Sequence, residues 1–175
     1  MLQDARLIAD RDVIVRADYG QIYIETSANE DDGWPDDDPY TGALDDALDS
    51  GRFVGVRLGL IDLMTPGQWN WNTPVRIEIW SGEPSEDLHA WDHEVDADLD
   101  VPDGWISFAA SGGGTPQRTD IPPGTYRVRI SGRGFTALGR AGAEGDDSYR
   151  LRLWLTDHAA DPQLRKRWPG WDNYH

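Results

Sequence analysis

At 175 residues the chain is long enough for one domain with a substantial core, and 38% hydrophobic residues with nine Trp exclude a disordered chain. The absence of Cys excludes disulfides, thiolate zinc sites and thiol nucleophiles, and fits a reducing compartment. A net charge of −16 repels nucleic acid and anionic membrane and attracts basic surfaces.

The dominant period is two, as in half-buried strands. Val13, Val15 and Ala17 alternate with Ile14, Arg16 and Asp18, and Ile22 and Ile24 follow. Residues 53–60 form a mostly apolar run of central-strand type, and Val75, Ile77 and Ile79 alternate with Arg76, Glu78 and Trp80. Val95, Ala97, Leu99 and Val101 alternate with Glu94, Asp96, Asp98 and Asp100, and residues 105–108 form a short run. Tyr126, Val128 and Ile130 alternate with Arg127, Arg129 and Ser131, and Leu151, Leu153 and Leu155 with Arg150, Arg152 and Trp154. Pro102-Asp103-Gly104 and Pro122-Pro123-Gly124 are explicit turns. This pattern predicts an all-β fold, an antiparallel β-sandwich of about seven to nine strands with one or two short helices, as a single domain over residues 1–175.

Helical signals are few. Thr41 is placed to cap a short helix carrying Leu44, Ala47 and Leu48, with Gly51 as its stop. Residues 85–91 suggest a turn or two, and 161–168 a third helix, with Pro162 early and Arg165, Lys166 and Arg167 in its last turn. Residues 29–40 and 111–120 read as surface loops. No basic segment followed by an apolar run opens the chain, and no apolar run approaches membrane-spanning length, so a soluble, cytoplasmic protein is expected.

Charge is concentrated in two stretches. Residues 29–50 and 83–103 each hold nine acids and no Lys or Arg. Two catalytic or metal patterns fail on inspection. Asp96-x-Asp98-x-Asp100 lacks the Gly and the Glu of a calcium loop, and no Lys follows Ser111-Gly112-Gly113-Gly114 to cradle a phosphate. His89 and His93 lack the Glu of a His-Glu-x-x-His motif and read as surface residues at a loop–strand junction. No nucleophile elbow is present, so no enzyme, cofactor or metal is expected. Arg127, Arg129 and Arg133, with Arg150 and Arg152, lie on one face of two neighbouring strands, where they either pair with Asp96, Asp98 and Asp100 as a cross-strand lattice or form a separate basic patch; the lattice is expected, because like charges stacked alone repel.

Among the nine Trp, Trp80, Trp105 and Trp154 fit the core or a sheet-covering role, and the non-periodic tail from Trp168 to Tyr174 either displays its rings for binding or packs back on the body. Trp69 and Trp71 lie in a non-periodic segment and are candidates for a stacking platform in a carbohydrate- or ligand-binding module.

From Leu88 to Trp154 the motifs Trp91-Asp92-His93-Glu94-Val95, Val101-Pro102-Asp103-Gly104, Ile121-Pro122-Pro123-Gly124-Thr125-Tyr126, Ser131-Gly132-Arg133-Gly134 and Tyr149-Arg150-Leu151-Arg152-Leu153-Trp154 are similar to those of small bacterial proteins. More distantly they resemble the competence protein J family, acidic partners that inhibit a DNA-entry nuclease. That resemblance implies a β-sandwich inhibitor or immunity protein and brings no catalytic residues with it. With the charge, it points to a non-enzymatic binding protein for a basic partner, a nuclease or toxin, steered by acidic residues. The candidate contact residues are Asp31, Asp32, Trp34, Asp36, Asp37, Asp38, Tyr40, Asp45, Asp46 and Asp49.

Overall fold

The computed structural model describes residues 4–31, 38–136 and 143–174. Eleven strands and two helices make it predominantly β: β1 (Leu7–Asp18), β2 (Gln21–Glu25), α1 (Ser27–Asp31), α2 (Pro39–Asp49), β3 (Val54–Arg57), β4 (Leu60–Met64), β5 (Trp69–Trp80), β6 (His93–Val101), β7 (Trp105–Ala110), β8 (Gln117–Asp120), β9 (Gly124–Arg133), β10 (Ser148–Leu155) and β11 (Gln163–Lys166). Among the described residues no helix is long and apolar enough to cross a membrane.

All eleven strands join one mixed sheet, so the ladder does not divide into the two antiparallel sheets of a sandwich. One block runs β8-β7-β2-β4-β3 with every pair antiparallel. The other runs β1-β5-β10-β9-β6-β11, and its β5–β10 pair is parallel. The blocks meet at the β1–β2 turn, where Asp18 pairs with Gln21. Tyr19 and Gly20 both have positive φ there, as a tight two-residue hairpin turn requires. The alternating apolar residues of both blocks enter one core, including Ile22, Ile61, Val75, Val95, Phe108, Val128 and Leu151.

Several boundaries differ from the sequence reading, each for a local reason. The run 53–60 is not one strand: Gly59, at φ +66°, turns the chain so that β3 folds back on β4. Helix α2 begins at Pro39 rather than after Thr41, because Asp38 accepts the Tyr40 N–H at 3.1 Å and the Thr41 hydroxyl at 3.0 Å. Its end agrees, with Gly51 at φ +69° just past the Ser50 cap. Segment 85–91 makes a single 3₁₀ turn, Leu88–Ala90. Segment 161–168 is an edge strand instead of a helix: Leu164 pairs with Val95, and Arg165 reaches Glu86, Glu94 and Asp96. Those tertiary contacts outweigh local helix propensity. The loop expected over 29–40 holds the end of α1 and the start of α2, and the one over 111–120 contains β8. Trp69 and Trp71 belong to β5, near a register irregularity opposite Val15 and Ala17 that obscures their periodicity.

Candidate functional site

The second acidic stretch is partly built into the protein: Glu94 and Asp96 are buried, whereas Glu83, Glu86 and Asp103 are exposed. Register places Asp96 opposite Arg129 and Asp98 opposite Arg127, so the lattice suggested by the alternation exists. Arg129, with no exposed surface, donates from Nε to Asp96 Oδ1 at 2.8 Å and from Nη2 to Asp96 Oδ2 at 2.9 Å. It also donates to Glu83 at 2.8 Å, and its guanidinium lies 5.3 Å from the Trp154 ring centre. Arg152 stands directly opposite Arg129, a pairing of like charges that needs nearby anions. Asp87 supplies one, accepting from Arg150 at 2.8 Å and Arg152 at 2.9 Å. Glu94 supplies the other, completely buried, 3.8 Å from Arg129 and 3.7 Å from Arg152, and it accepts the Ser131 hydroxyl at 2.6 Å. Burial works against the charge on Arg129, yet Asp96 and Glu83 hold its pKa above the ordinary value. Burial also opposes the Asp87 charge, and Arg150 and Arg152 more than reverse that effect and lower its pKa. The lattice is consequently a structural layer beneath segment 83–91 and β11.

His93 is not a surface residue. It is 4% exposed, with Nε2 2.6 Å from the Arg52 carbonyl, while Nδ1 accepts from Trp168 N–H at 3.1 Å and Trp171 Nε1–H at 3.3 Å. That is the pattern of a neutral ring donating from Nε2, and burial pulls its pKa down to about 4. The tail packs back on the body: Trp171 is buried and stacks on Phe53 with centroids 4.3 Å apart.

The first acidic stretch is arranged differently. Asp32, Trp34, Asp36 and Asp37 lie outside the described residues, and Asp31 is described only as the end of α1. Asp38 caps α2. Asp46 accepts from Arg52 Nη2 and from Val56 N–H at 2.8 Å, tying α2 to β3. Tyr40 packs on Tyr23 with centroids 4.7 Å apart, and burial followed by Glu25 raises its pKa. Asp45 and Asp49, by contrast, face solvent and make no ion pair among the described residues. Leu48, 46% exposed, sits one turn from Asp45 on the same face. The three form an acidic patch with an apolar edge.

Beneath α2 lies a residue the strand pattern did not single out. Asp62 of β4 is wholly buried, and both carboxyl oxygens lack a hydrogen-bond partner. Desolvation pushes its pKa up to about 7. A lone acid inside Leu60-Ile61-Asp62-Leu63-Met64 is the sequence signal that marks it.

Trp69 is half-buried, while Trp71 is 56% exposed with the Arg16 guanidinium 4.7 Å from its ring centre. A groove of about 460 Å³ lies elsewhere, at the open end of the lattice, lined by Ile14, Pro74, Arg76, Trp91, Arg133 and Arg150 among others. Among the described residues no three His, Asp or Glu side chains converge as metal ligands.

No protein-family model and no curated protein matches the chain. Its fold is similar to the crystal structure of ComJ from Bacillus subtilis, an inhibitor of the DNA-degrading activity of NucA. The TM-score is 0.51 at 16% identity, covering 88% of this chain and 100% of that one. A crocagin biosynthesis J protein is similar at a TM-score of 0.48 and 17% identity, covering 85% of this chain and 99% of that one. The resemblance to ComJ is distant and is one of fold.

Proposed function

We propose that the chain is a non-enzymatic, inhibitor-type binding protein that uses the exposed acidic face of α2, with the acidic segment before it, against a basic partner. The partner class is a nuclease or another nucleic-acid-binding toxin, whose substrate cleft carries positive charge. One observation carries this reading. Asp45 and Asp49 stand four residues apart in the C-terminal half of α2, a helix with no basic residue in its last turn. Like charges at that spacing repel, and the carbonyl end of a helix disfavours anions. Asp46 offsets its position by bonding Arg52 and Val56; among the described residues Asp45 and Asp49 have no such intramolecular return. Acids retained at a cost to the fold are available for another molecule.

The fold likeness to a nuclease inhibitor supports the inhibitor class. Leu48 supplies an apolar contact beside the two acids, and the field of the first 117 residues, with 6 basic and 25 acidic side chains, supplies steering. The absence of Cys is in keeping with action in the cytoplasm. The test is the association rate with a purified basic DNA-degrading nuclease from the native host. Steering predicts a fall of about tenfold or more between low and moderate salt, with Asp45→Asn/Asp49→Asn flattening that dependence. A rate indifferent to salt and to both substitutions contradicts it.

The carbohydrate-module alternative rests on Trp71, since Trp69 is half-buried. Arg16 already stacks against the Trp71 ring, which leaves a smaller platform than two free indoles would give. Loss of glycan binding on Trp71→Ala would favour it.

A further inference from the structure

Asp62 differs from the other strongly shifted buried groups. His93 has partners at both ring nitrogens, and Asp147, also buried, accepts from the Tyr149 hydroxyl and Asn70. Asp62 has no hydrogen-bond partner among the described residues. Its position explains its burial. In the antiparallel β3–β4 ladder Asp62 lies opposite Gly55, so both present the same face of the sheet. That face carries α2: a Cβ added at Gly55 would stand 1.7 Å from the Ala43 carbonyl oxygen, a contact only glycine permits. On the other side Asp62 lies opposite Tyr23, on which Tyr40 of α2 packs. The helix backbone and the Tyr23 ring, itself covered by Tyr40, thus lie over this face of the sheet.

We propose that Asp62 is a proton-operated seat for α2: with the carboxyl protonated the helix lies closed on β3 and β4, and ionisation loosens that contact. Among the described residues, the groups facing the site supply no counter-charge. From β2 come Tyr23 and Glu25, from α2 Tyr40 and the Asp38 cap, and from the tail Tyr174; Tyr23 and Tyr174 both feel the Asp62 charge as a repulsive one. Asp46 is occupied by Arg52 and Val56. Arg57, the cation on this part of the sheet, runs alongside Gly42 and donates to the Val56 carbonyl at 3.0 Å. An ionised Asp62 must therefore draw water under the helix or displace it.

The sign follows from the raised pKa. The neutral carboxyl is favoured in the folded state, so its contribution is complete below the unfolded value of about 3.9 and is lost as pH rises through about 7. This inference does not depend on what α2 binds.

The test is amide hydrogen exchange on the full chain at pH 6 and pH 8.5, corrected for intrinsic rates, in wild type and Asp62→Asn. Wild type is expected to lose protection in α2 at pH 8.5 while β9 and β10 keep theirs, and the variant to keep α2 protected at both. Equal α2 protection at both pH values in wild type, or a variant that follows wild type, overturns the proposal. Should Asp62→Asn fail to fold, carboxyl ¹³C titration of wild type decides. A midpoint well above the ordinary aspartate range supports the seat, and an ordinary midpoint overturns it.

Discussion

The two acidic stretches have the same number of acids and the same lack of Lys and Arg, yet the fold treats them in opposite ways. In residues 83–103 the strand period puts every second residue on one face, and antiparallel register brings that face against arginines of β9. Glu94 and Asp96 become buried structural anions. In residues 29–50 the period is helical, no basic strand lies opposite, and Asp45 and Asp49 remain in solvent. Acid content therefore does not define a binding surface; what decides is whether the backbone places a cation opposite each acid.

The largest expected effect lies in the lattice. Arg129→Leu strands Glu94 and Asp96 without their main cation, and removal of one buried partner costs about 3–5 kcal/mol, measurable by urea unfolding. A loss below about 1 kcal/mol would mean that the lattice is not a structural layer.

The two regions should also titrate with opposite signs. His93 in the second stretch has a lowered folded pKa, so its contribution is lost as pH falls from about 6.5 to about 4. Asp62 under α2 has a raised one, so its contribution is lost as pH rises across an overlapping window, up to about 7. Each slope is on the order of 1 kcal/mol per pH unit, and the two oppose each other. Relative to wild type, Asp62→Asn should therefore gain stability as pH rises from 4 to 7. His93→Gln should gain, relative to wild type, as pH falls from 6.5 to 4. Parallel profiles for both variants and wild type would refute the opposition.

Smaller effects should follow at the margins. Asp98→Asn removes the part-buried pair with Arg127 and is expected to cost about 1 kcal/mol. Trp71→Ala, at an exposed position, should change stability by less than about 0.5 kcal/mol despite the size of the ring.

Much of this arrangement was legible in the sequence where it depends on local periodicity. The alternation of Glu94, Asp96 and Asp98 against Arg127 and Arg129 already implied the ion-pair rows, and Gly51 marked the end of α2. Non-local pairing was not legible. Nothing in Leu151 or Ile77 announces that β10 runs parallel to β5, and the Pro162 and basic residues near 165 mimic a helix while serving an edge strand. His93 looked like a surface residue because the groups that bury it, the Phe135 and Trp171 rings and the Trp168 backbone, come from distant positions in the chain. The choice between Asp45 and Asp46 as a free acid depends on Arg52 and Val56 lying beyond the helix, a contact that helical spacing cannot reveal.

The most direct test is urea unfolding at pH 7 of two double variants that remove equal charge, Asp45→Asn/Asp49→Asn and Asp96→Asn/Asp98→Asn. The first should leave the chain unchanged or more stable, by up to about 1 kcal/mol, because it relieves repulsion at the end of α2. The second should destabilise it by about 3 kcal/mol or more, because it leaves buried Arg129 without its bidentate acid. Shifts of the same sign and similar size would contradict the division between a structural and a free acidic stretch.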